Sequence, residues 1–206
     1  MLKINKSKYP KFNNFQSLVL IGTLLGDSSL QTYTEGRTWR ARFLQSDLHK
    51  DYLFHLYEVF KDYVKTPPKL SDDGLGNKRW SFNTCVIPEL NTFADLFYKK
   101  VGNKRIKFIN PLIYQYFNEI SIAYWLMDDG SLKKVNNTKA FIFCTDSFTK
   151  EEVLILGKMF IMKYNIHVGY HLKGGNYRIY IPSKHYLEIK TLIEPIIQES
   201  MKYKLG

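Results

Sequence analysis

Residues 20–28 of this chain read LIGTLLGDS, and residues 122–130 read IAYWLMDDG. Each stretch is an apolar run typical of a buried helix, and each ends with an acid next to a small residue. The two acids, Asp27 and Asp129, lie about half of the 206-residue chain apart. This spacing predicts a duplicated half, with two carboxylates that meet at a central seam.

The composition limits the class of partner. The chain is 45% hydrophobic, which is enough for a core, and its formal net charge is +11 with a pI of about 9.4. A positive balance of this size favours a polyanionic partner, although a merely soluble basic protein has the same balance. Aromatic residues make up 16% of the chain, which suits a nucleic-acid surface but also follows from an AT-rich coding sequence.

Cysteine usage and hydropathy exclude several other classes of protein. Cys85 and Cys144 are the only thiols, without a CxxC pair or a histidine-rich cluster, so we expect no structural zinc site. This usage fits a reducing intracellular compartment. No apolar run reaches about 18 residues, so we expect no membrane-spanning helix and no membrane partner. Residues 1–13 are basic and lack the apolar core of a secretory signal, and we interpret them as a basic arm.

The apolar periodicity predicts one element order, helix–strand–strand–helix–strand–strand–helix, in each of two halves, 14–110 and 111–206. Besides the second motif, the expected helices cover residues 15–26, 48–64, 87–98, 149–164 and 186–197. The expected strands cover residues 29–34, 38–45, 79–84, 140–144, 167–172 and 177–181, with a further short strand within 131–138.

At this point the two motifs resemble the paired nine-residue motif of the LAGLIDADG homing endonucleases. Residues 123–130, AYWLMDDG, look especially like the omega-type organellar intron endonucleases. The resemblance covers nearly the whole chain and implies an α+β fold. In that fold two pseudo-symmetric αββαββα halves pack through the motif helices, and each half has a saddle-shaped antiparallel sheet.

The resemblance also implies an activity. The family's enzymes are metal-dependent, and this chain would be a monomeric, intron-encoded DNA endonuclease. It would bind one long asymmetric site in double-stranded DNA, cut both strands across the minor groove and leave short 3′ overhangs. The resemblance and the bias towards Lys, Asn, Ile and Tyr place the protein in an organelle, the mitochondrion or the chloroplast.

The sequence departs from the family pattern within both motifs. The first motif ends in Ser28 rather than glycine, and Tyr124 and Trp125 replace a small and an aliphatic residue in the second. We therefore expect the two helices to cross asymmetrically, close together at Gly22 and Gly26 and wider apart at Trp125.

The register with the family motif assigns Asp27 and Asp129 as the catalytic and metal-binding carboxylates. The residues before them, Gly26 and Asp128, complete the predicted metal site, Asp128 through its backbone carbonyl or an outer contact. One carboxylate from each helix suits Mg²⁺, for which Mn²⁺ would substitute, because Mg²⁺ takes oxygen ligands and few protein carboxylates. A purely structural role for these acids fits poorly, because a helix C-terminus disfavours a negative charge.

In the omega-type family a lysine from each half assists catalysis. Lys107 is the best match in the first half, with Lys104 and Arg105 as rivals, and Lys204 is the match in the second half. The competing interpretation is that these residues are ordinary solvated side chains on the surface. The histidines, among them His49 and His171, are dispersed, and we predict that they are structural or surface residues rather than catalytic ones.

Basic residues alternate with apolar ones in several predicted strands. A two-stranded ribbon can enter the major groove of DNA, where arginine reads guanine and asparagine or glutamine reads adenine. Any single residue could equally be an ordinary solvent-facing one, so the recurrence of the pattern favours a DNA-facing sheet. The predicted DNA contacts are Gln31, Tyr33, Arg40, Arg42, Arg79, Ser81, Asn83, Lys139, Tyr170, Arg178 and Tyr180, and Lys50, Lys133 and Lys134 would contact phosphates.

Two other functions remain open at this level. The same scaffold could serve as an RNA-binding group I intron maturase, with intron RNA as a partner, or as a DNA-binding regulator that does not cleave. The presence of Asp27 and Asp129 together with Lys107 and Lys204 argues against the regulator. It argues only weakly against the maturase.

Overall fold

The computed structural model describes residues 9–72 and 74–206. The first half of the chain forms α1 (Asn14–Leu25), β1 (Ser29–Gln31), β2 (Arg40–Ser46), α2 (Lys50–Phe60), β3 (Lys69–Asp72), β4 (Lys78–Asn83) and α3 (Leu90–Phe97). A hairpin of β5 (Tyr98–Val101) and β6 (Lys104–Lys107) follows. The second half forms α4 (Glu119–Asp129), β7 (Gly130–Val135), β8 (Thr138–Phe143), α5 (Lys150–Tyr164), β9 (Gly169–Lys173), β10 (Asn176–Ile181) and α6 (Tyr186–Ile193).

Each half contains an antiparallel four-stranded sheet of the same topology. The strand orders are β1-β2-β4-β3 and β7-β8-β10-β9, and β5 and β6 form a separate two-stranded sheet. The register aligns Phe43 with Phe82 in the first sheet and Phe143 with Ile179 in the second. These four side chains are buried beneath the helices, so one face of each sheet belongs to the core. The opposite face is open.

The predicted α+β fold and the repeated element order are confirmed. Two elements were missed, the strand β3 and the β5–β6 hairpin. All four residues of β3 are exposed, and the hairpin is dominated by lysine and arginine, so neither has the apolar alternation that reveals a strand in a sequence. The expected helix over 48–64 is shorter, because 3₁₀ turns at Asp47–His49 and Lys61–Tyr63 flank α2.

The two motif helices begin in the same way. Asn13 accepts a hydrogen bond from the backbone of Gln16, and Asn118 accepts hydrogen bonds from the backbones of Ile120 and Ser121. In both cases the side chain of the third helical residue accepts a hydrogen bond from the backbone N–H of the capping asparagine, which completes a capping box. The caps fix the start of both helices, and the acids lie at the opposite, C-terminal ends.

The motif helices α1 and α4 pack against each other through glycine. A Cβ atom placed on Gly22 would lie 2.5 Å from the carbonyl oxygen of Ser121 and 2.7 Å from the Cβ of Tyr124. A Cβ atom on Gly26 would collide with the side chain of Asp128. The expected close approach at both glycines is confirmed, and Trp125 packs instead on Phe143, with their ring centroids 4.4 Å apart.

The segment before α1 is partly included in the structure. Residues 1–8 of the predicted arm lie outside the described residues. Phe12 is buried and makes edge-to-face contacts with Phe60 and Tyr63. Within the described residues, no helix has the length and apolar character needed to cross a membrane.

We predict that Gly22→Ala destabilises the protein by about 1–3 kcal/mol, because the added methyl group must push α1 away from the α4 backbone. Chemical denaturation monitored by circular dichroism measures the change. Asn14→Ala is the matched control, since Asn14 is exposed in the first turn of the same helix. Equal stability of the two variants would contradict the close contact.

Candidate active site

A buried glutamine joins the ends of the two motif helices. Gln45 lies at a core-facing position of β2, and its Nε2 donates to Asp27 Oδ2 at 3.0 Å and to Asp128 Oδ1 at 3.1 Å. The other carboxylate oxygen of Asp128 accepts a hydrogen bond of 3.1 Å from the backbone N–H of Asp27. Sequence analysis missed Gln45, although its alternation with Ala41 and Phe43 already indicated an inward-facing amide.

Two lysines approach the helix ends from opposite halves. The Nζ of Lys107 donates to the carbonyl oxygens of Gly26 at 3.3 Å and Ser28 at 3.5 Å. The Nζ of Lys204 donates to the carbonyl oxygens of Leu126, Met127 and Asp128, at 3.2, 2.5 and 3.0 Å. The last carbonyl groups of a helix lack intrahelical donors, and the two ammonium groups supply donors at and just beyond these helix ends.

The structure separates the three first-half candidates for this role. Lys107 is the residue whose ammonium reaches the first motif. Arg105 donates to the carbonyl oxygen of Glu35 at 2.6 Å, and Lys104 is exposed at the start of β6. In both halves the lysine contacts the carbonyl group of the residue that precedes the predicted catalytic acid, Gly26 before Asp27 and Asp128 before Asp129.

Burial and mutual repulsion shift the protonation of the acids. Burial raises the pKa of Asp128 well above its usual range, and the charge of Asp27 adds to this shift. Burial followed by the charge of Asp27 raises the pKa of Asp129 to about 6, although Lys107 and Lys204 oppose the shift. The seam therefore crowds three acids together, and the raised pKa values show that ionising all three at once is unfavourable.

The pKa values of the two lysines are shifted downwards, in the opposite direction to those of the acids. Burial lowers the pKa of Lys107 to about 8, although the nearby acids Asp129, Asp128 and Asp27 favour its charged form. Burial also lowers the pKa of Lys204, against the same acids. An ammonium with a lowered pKa can release and regain a proton near neutral pH, which is a property of general acids and bases.

The donor atoms at the seam are suited to a hard cation. Among the described residues, no three side chains of His, Cys, Asp or Glu converge as a metal cluster. The seam instead combines the carboxylates of Asp27 and Asp129 with the carbonyl oxygens of Gly26 and Asp128, which are all oxygen donors. Such a set fits Mg²⁺, which keeps several water ligands and needs few protein carboxylates.

Two further side chains surround the seam. The phenol of Tyr52 is buried beside Asp128, and its pKa is raised well above the usual range by burial and then by that acid. The Nε2 of His49 lies 3.0 Å from the hydroxyl oxygen of Tyr203. Burial lowers the pKa of His49, and Lys204 adds to the shift while Asp27 opposes it, so this histidine lies near the seam.

In the first sheet, the predicted DNA contacts share the open face. Arg40 donates to Gln31 Oε1 at 3.0 and 3.2 Å, and its guanidinium lies 4.8 Å from the ring centroid of Tyr33. Arg42 pairs with Asn83 across β2 and β4. The remaining predicted members of this face, Arg79 and Ser81, alternate with Trp80 and Phe82 as expected.

In the second sheet, the structure brings only some of the predicted residues to the open face. Arg178 forms a salt bridge with Asp146, and the ring of Tyr180 stacks on that of His171 at 4.3 Å. His171 pairs with Arg178 across the strands, so this histidine lies on the open face. It was not among the predicted DNA contacts. Lys133 also lies over the Tyr180 ring, at 5.7 Å.

Two predicted DNA contacts lie on the other face. Lys139 shares the side of β8 that carries Phe141, and its Nζ contacts the ring of Tyr186 and the carbonyl oxygen of Gly206. Tyr170 pairs with the buried Ile179, and its hydroxyl packs against Gly157 of α5. Residues two apart in a strand share a face of the sheet, as do residues paired across strands, so both side chains point towards the helices rather than to the open face.

We predict that Asp129→Asn stabilises the protein in the absence of divalent cations, by on the order of 1–2 kcal/mol at a pH well above 6. The folded carboxyl binds its proton more tightly than the unfolded one, so the free energy of unfolding of the wild type falls as the pH rises towards 6. The variant lacks this loss, and the difference shrinks as the pH falls. Urea titrations at several pH values measure it, with exposed Asp62→Asn as the control; equal stabilities at high pH would contradict the repulsion.

Comparison with known proteins agrees with this geometry. Residues 17–189 match the model of the LAGLIDADG DNA endonuclease family. The DNA endonuclease I-ChuI of Chlamydomonas applanata is 35% identical over 93% of this chain and 94% of its own length. The cytochrome b mRNA maturase bI2 of Debaryomyces hansenii is 32% identical over 91% of this chain and 72% of its own length.

A solved structure agrees over nearly the full chain. The homing endonuclease I-WcaI, bound to its DNA recognition sequence, superposes with a TM-score of 0.86 and 31% sequence identity, over 97% of this chain and 89% of I-WcaI. The family model begins within α1, spans α4 and both four-stranded sheets, and ends halfway through α6. The chain therefore belongs to the LAGLIDADG DNA endonuclease family.

Proposed function

We propose that this protein is a site-specific homing endonuclease that hydrolyses both strands of a long asymmetric DNA duplex and leaves short 3′ overhangs. The observation that supports this most is the symmetry of the seam. An acid lies at or just beyond the end of each motif helix, and a lysine contacts the carbonyl group of the residue before that acid. Two equivalent sets of groups suit two cuts, one in each strand.

The metal-binding residues would be Asp27 and Asp129, with the carbonyl oxygens of Gly26 and Asp128. Bound Mg²⁺, or Mn²⁺ in its place, supplies an activated water and stabilises the leaving oxygen. Gln45 would hold the Asp27 carboxylate in a fixed orientation through its amide. Asp128 would contribute a carbonyl group, while its buried side chain positions the backbone of Asp27.

Lys107 and Lys204 would transfer a proton during cleavage and stabilise negative charge on the phosphate. Burial lowers the pKa of both lysines, that of Lys107 to about 8, which makes each Nζ a better proton donor and acceptor than an exposed lysine. As ammonium groups they would also offset the negative charge that develops on the phosphate oxygens. Because the lysines come from different halves, each would serve one of the two scissile phosphates.

The open faces of the two sheets would read the target. The first presents Gln31, Arg40, Arg42 and Asn83, which match the donors and acceptors of bases in the major groove. The second presents Tyr180 and His171, and its Arg178 is already held by Asp146. Because the two faces differ in chemistry, the two half-sites would differ in sequence.

The unit that acts would be a single chain. The halves 14–110 and 111–206 would supply the two half-sites, so no second copy is needed. We place its origin in an organelle, on the basis of the Lys-, Asn-, Ile- and Tyr-rich composition and the cytochrome b maturase among its relatives.

We predict that the wild type cuts one long site recovered from a randomised duplex library with Mg²⁺. Asp27→Asn and Asp129→Asn would each lose cleavage by at least about 100-fold while they still bind that duplex, because the acids act on the metal rather than on the bases. Asp62→Asn, an exposed acid far from the motifs in sequence, should cleave like the wild type. Absence of cutting by the wild type, with intact binding, would overturn the proposal.

We predict that Gln45→Ala slows cleavage by about 10- to 100-fold, since the Asp27 and Asp128 carboxylates lose their shared donor. Single-turnover rates at saturating enzyme measure the effect, with binding affinity measured in parallel. Gln31→Ala serves as the comparison, because that glutamine lies on the open face and its loss should weaken binding. Unchanged single-turnover rates for Gln45→Ala would show that the bridge is dispensable.

A second candidate function is RNA-binding intron maturase. It is favoured by the similarity to the cytochrome b mRNA maturase of Debaryomyces hansenii. Splicing does not require the metal-binding acids, whereas cleavage does. Intron splicing assisted equally by the wild type and by Asp27→Asn would establish the maturase function, and absence of assistance by both would exclude it.

A further inference from the structure

The β5–β6 hairpin is the most basic element of the chain. Within residues 99–107 it carries Lys99, Lys100, Lys104, Arg105 and Lys107, and the sequence contains no acid between Asp95 and Glu119. Among the described residues, these five side chains take part in none of the salt bridges. Apart from Tyr98 and Lys107 at its ends, the residues of both strands are exposed.

This charge is unfavourable for the hairpin in isolation. Lys100 lies directly across from Arg105, and like charges in directly opposite positions destabilise a strand pair. A two-stranded hairpin is in any case only marginally stable in water. An exposed element with this composition is therefore poorly suited to a purely structural role, but suited to a polyanion that neutralises the charge.

Contacts with the first sheet hold the hairpin in place. The hydroxyl of Tyr98 accepts a hydrogen bond of 3.0 Å from the backbone of Leu30 in β1, and its ring lies 5.2 Å from that of Trp39. Arg105 donates to the carbonyl oxygen of Glu35 and lies 5.5 Å over the Trp39 ring. Gly36 has a φ of +87°, and the Arg105 guanidinium fills the place of its absent Cβ.

The docked hairpin extends the open face of the first sheet. An open trough of about 500 Å³ lies between the hairpin and the loop that joins β1 to β2, lined by Thr32, Tyr33, Glu35, Lys100, Asn103 and Arg105. Tyr33 also contacts Arg40 on the open face of the sheet. The cations of the hairpin therefore continue the surface that would meet the duplex, and Glu35 is the acid in this lining.

The second half has no such element. In the fully described segment after α6, the chain forms a 3₁₀ helix over Glu199–Lys204 that delivers Lys204 to the seam. Lys202 in that segment is paired with Glu199 at 2.6 Å. Both halves thus place a lysine at the seam, but only the first does so from an unpaired basic hairpin.

We propose that the β5–β6 hairpin binds the phosphate backbone of duplex DNA beside the first half-site, so that the enzyme grips one end of its target more strongly than the other. Such contacts add affinity and register without reading bases. Since phosphate binding releases condensed counterions, the contribution must weaken as the salt concentration rises. This inference rests on the proposed function, because its partner is the same duplex.

The test compares two double variants that each remove two positive charges. Lys100→Gln with Lys104→Gln changes the hairpin, whereas Lys158→Gln with Lys163→Gln changes exposed positions of α5, on the helical side of the second sheet. Binding to a labelled duplex of mixed sequence is measured over a range of salt concentrations. We expect the slope of log affinity against log salt to fall by about 1–2 in magnitude for the hairpin variant and to stay unchanged for the control.

Each outcome has a distinct meaning. Equal slopes for the two double variants would overturn the role of the hairpin, because a change in net charge alone would then explain both. Wild-type binding that is absent or insensitive to salt would instead refute the proposed function itself. Equal losses on a single-stranded RNA of matched length would show that the hairpin does not select duplex DNA, which also overturns the proposal.

A footprint provides a second measurement. On the site recovered from the library, hydroxyl-radical protection by the hairpin variant should be lost at the outer end of one half-site. The α5 variant should protect the site as the wild type does. Loss of protection at both ends, or at neither, would contradict a grip on one end.

Discussion

The structure depends on the close packing of α1 against α4. Gly22 and Gly26 have no side chain to separate the helices, so Ser121 and Asp128 of the partner helix occupy that space. Asp27 follows the C-terminal cap of α1 and Asp129 is the last residue of α4, so close packing of the two helices also brings both acids to the same seam. The arrangement of the acids at the seam is thus a consequence of helix packing, and each half adds one four-stranded sheet.

The same packing concentrates negative charge. Burial raises the pKa values of Asp128 and Asp129, and the nearby charge of Asp27 raises both further. Gln45, Lys107 and Lys204 offset part of this cost with hydrogen bonds and positive charge. A cation bound at the seam would offset the remainder, so the features that favour metal binding are those that destabilise the metal-free protein.

The two halves share a topology but differ in the side chains near the seam and in the elements that follow the sheet. Gln45 bridges the acids from the first half, where the corresponding residue of the second half is Thr145, whose hydroxyl donates to the carbonyl oxygen of Tyr177. The basic hairpin also belongs to the first half alone among the described residues. A single chain can hold such differences, whereas two identical subunits could not, and an asymmetric DNA site requires them.

The fold class and the position of the central acids were determined by the sequence itself. The motif helices, their acids, the glycine contacts and the repeated element order follow from local periodicity and from residue types that only one arrangement satisfies. Tertiary structure decided the rest. It placed the Lys107 ammonium against the first motif and Lys104 and Arg105 away from it, and it set the Gln45 amide between Asp27 and Asp128. It also placed Lys139 and Tyr170 on the helix-facing sides of their strands. These outcomes depend on strand register and on contacts between distant segments, because a shift of one residue reverses the face that every side chain of a strand presents.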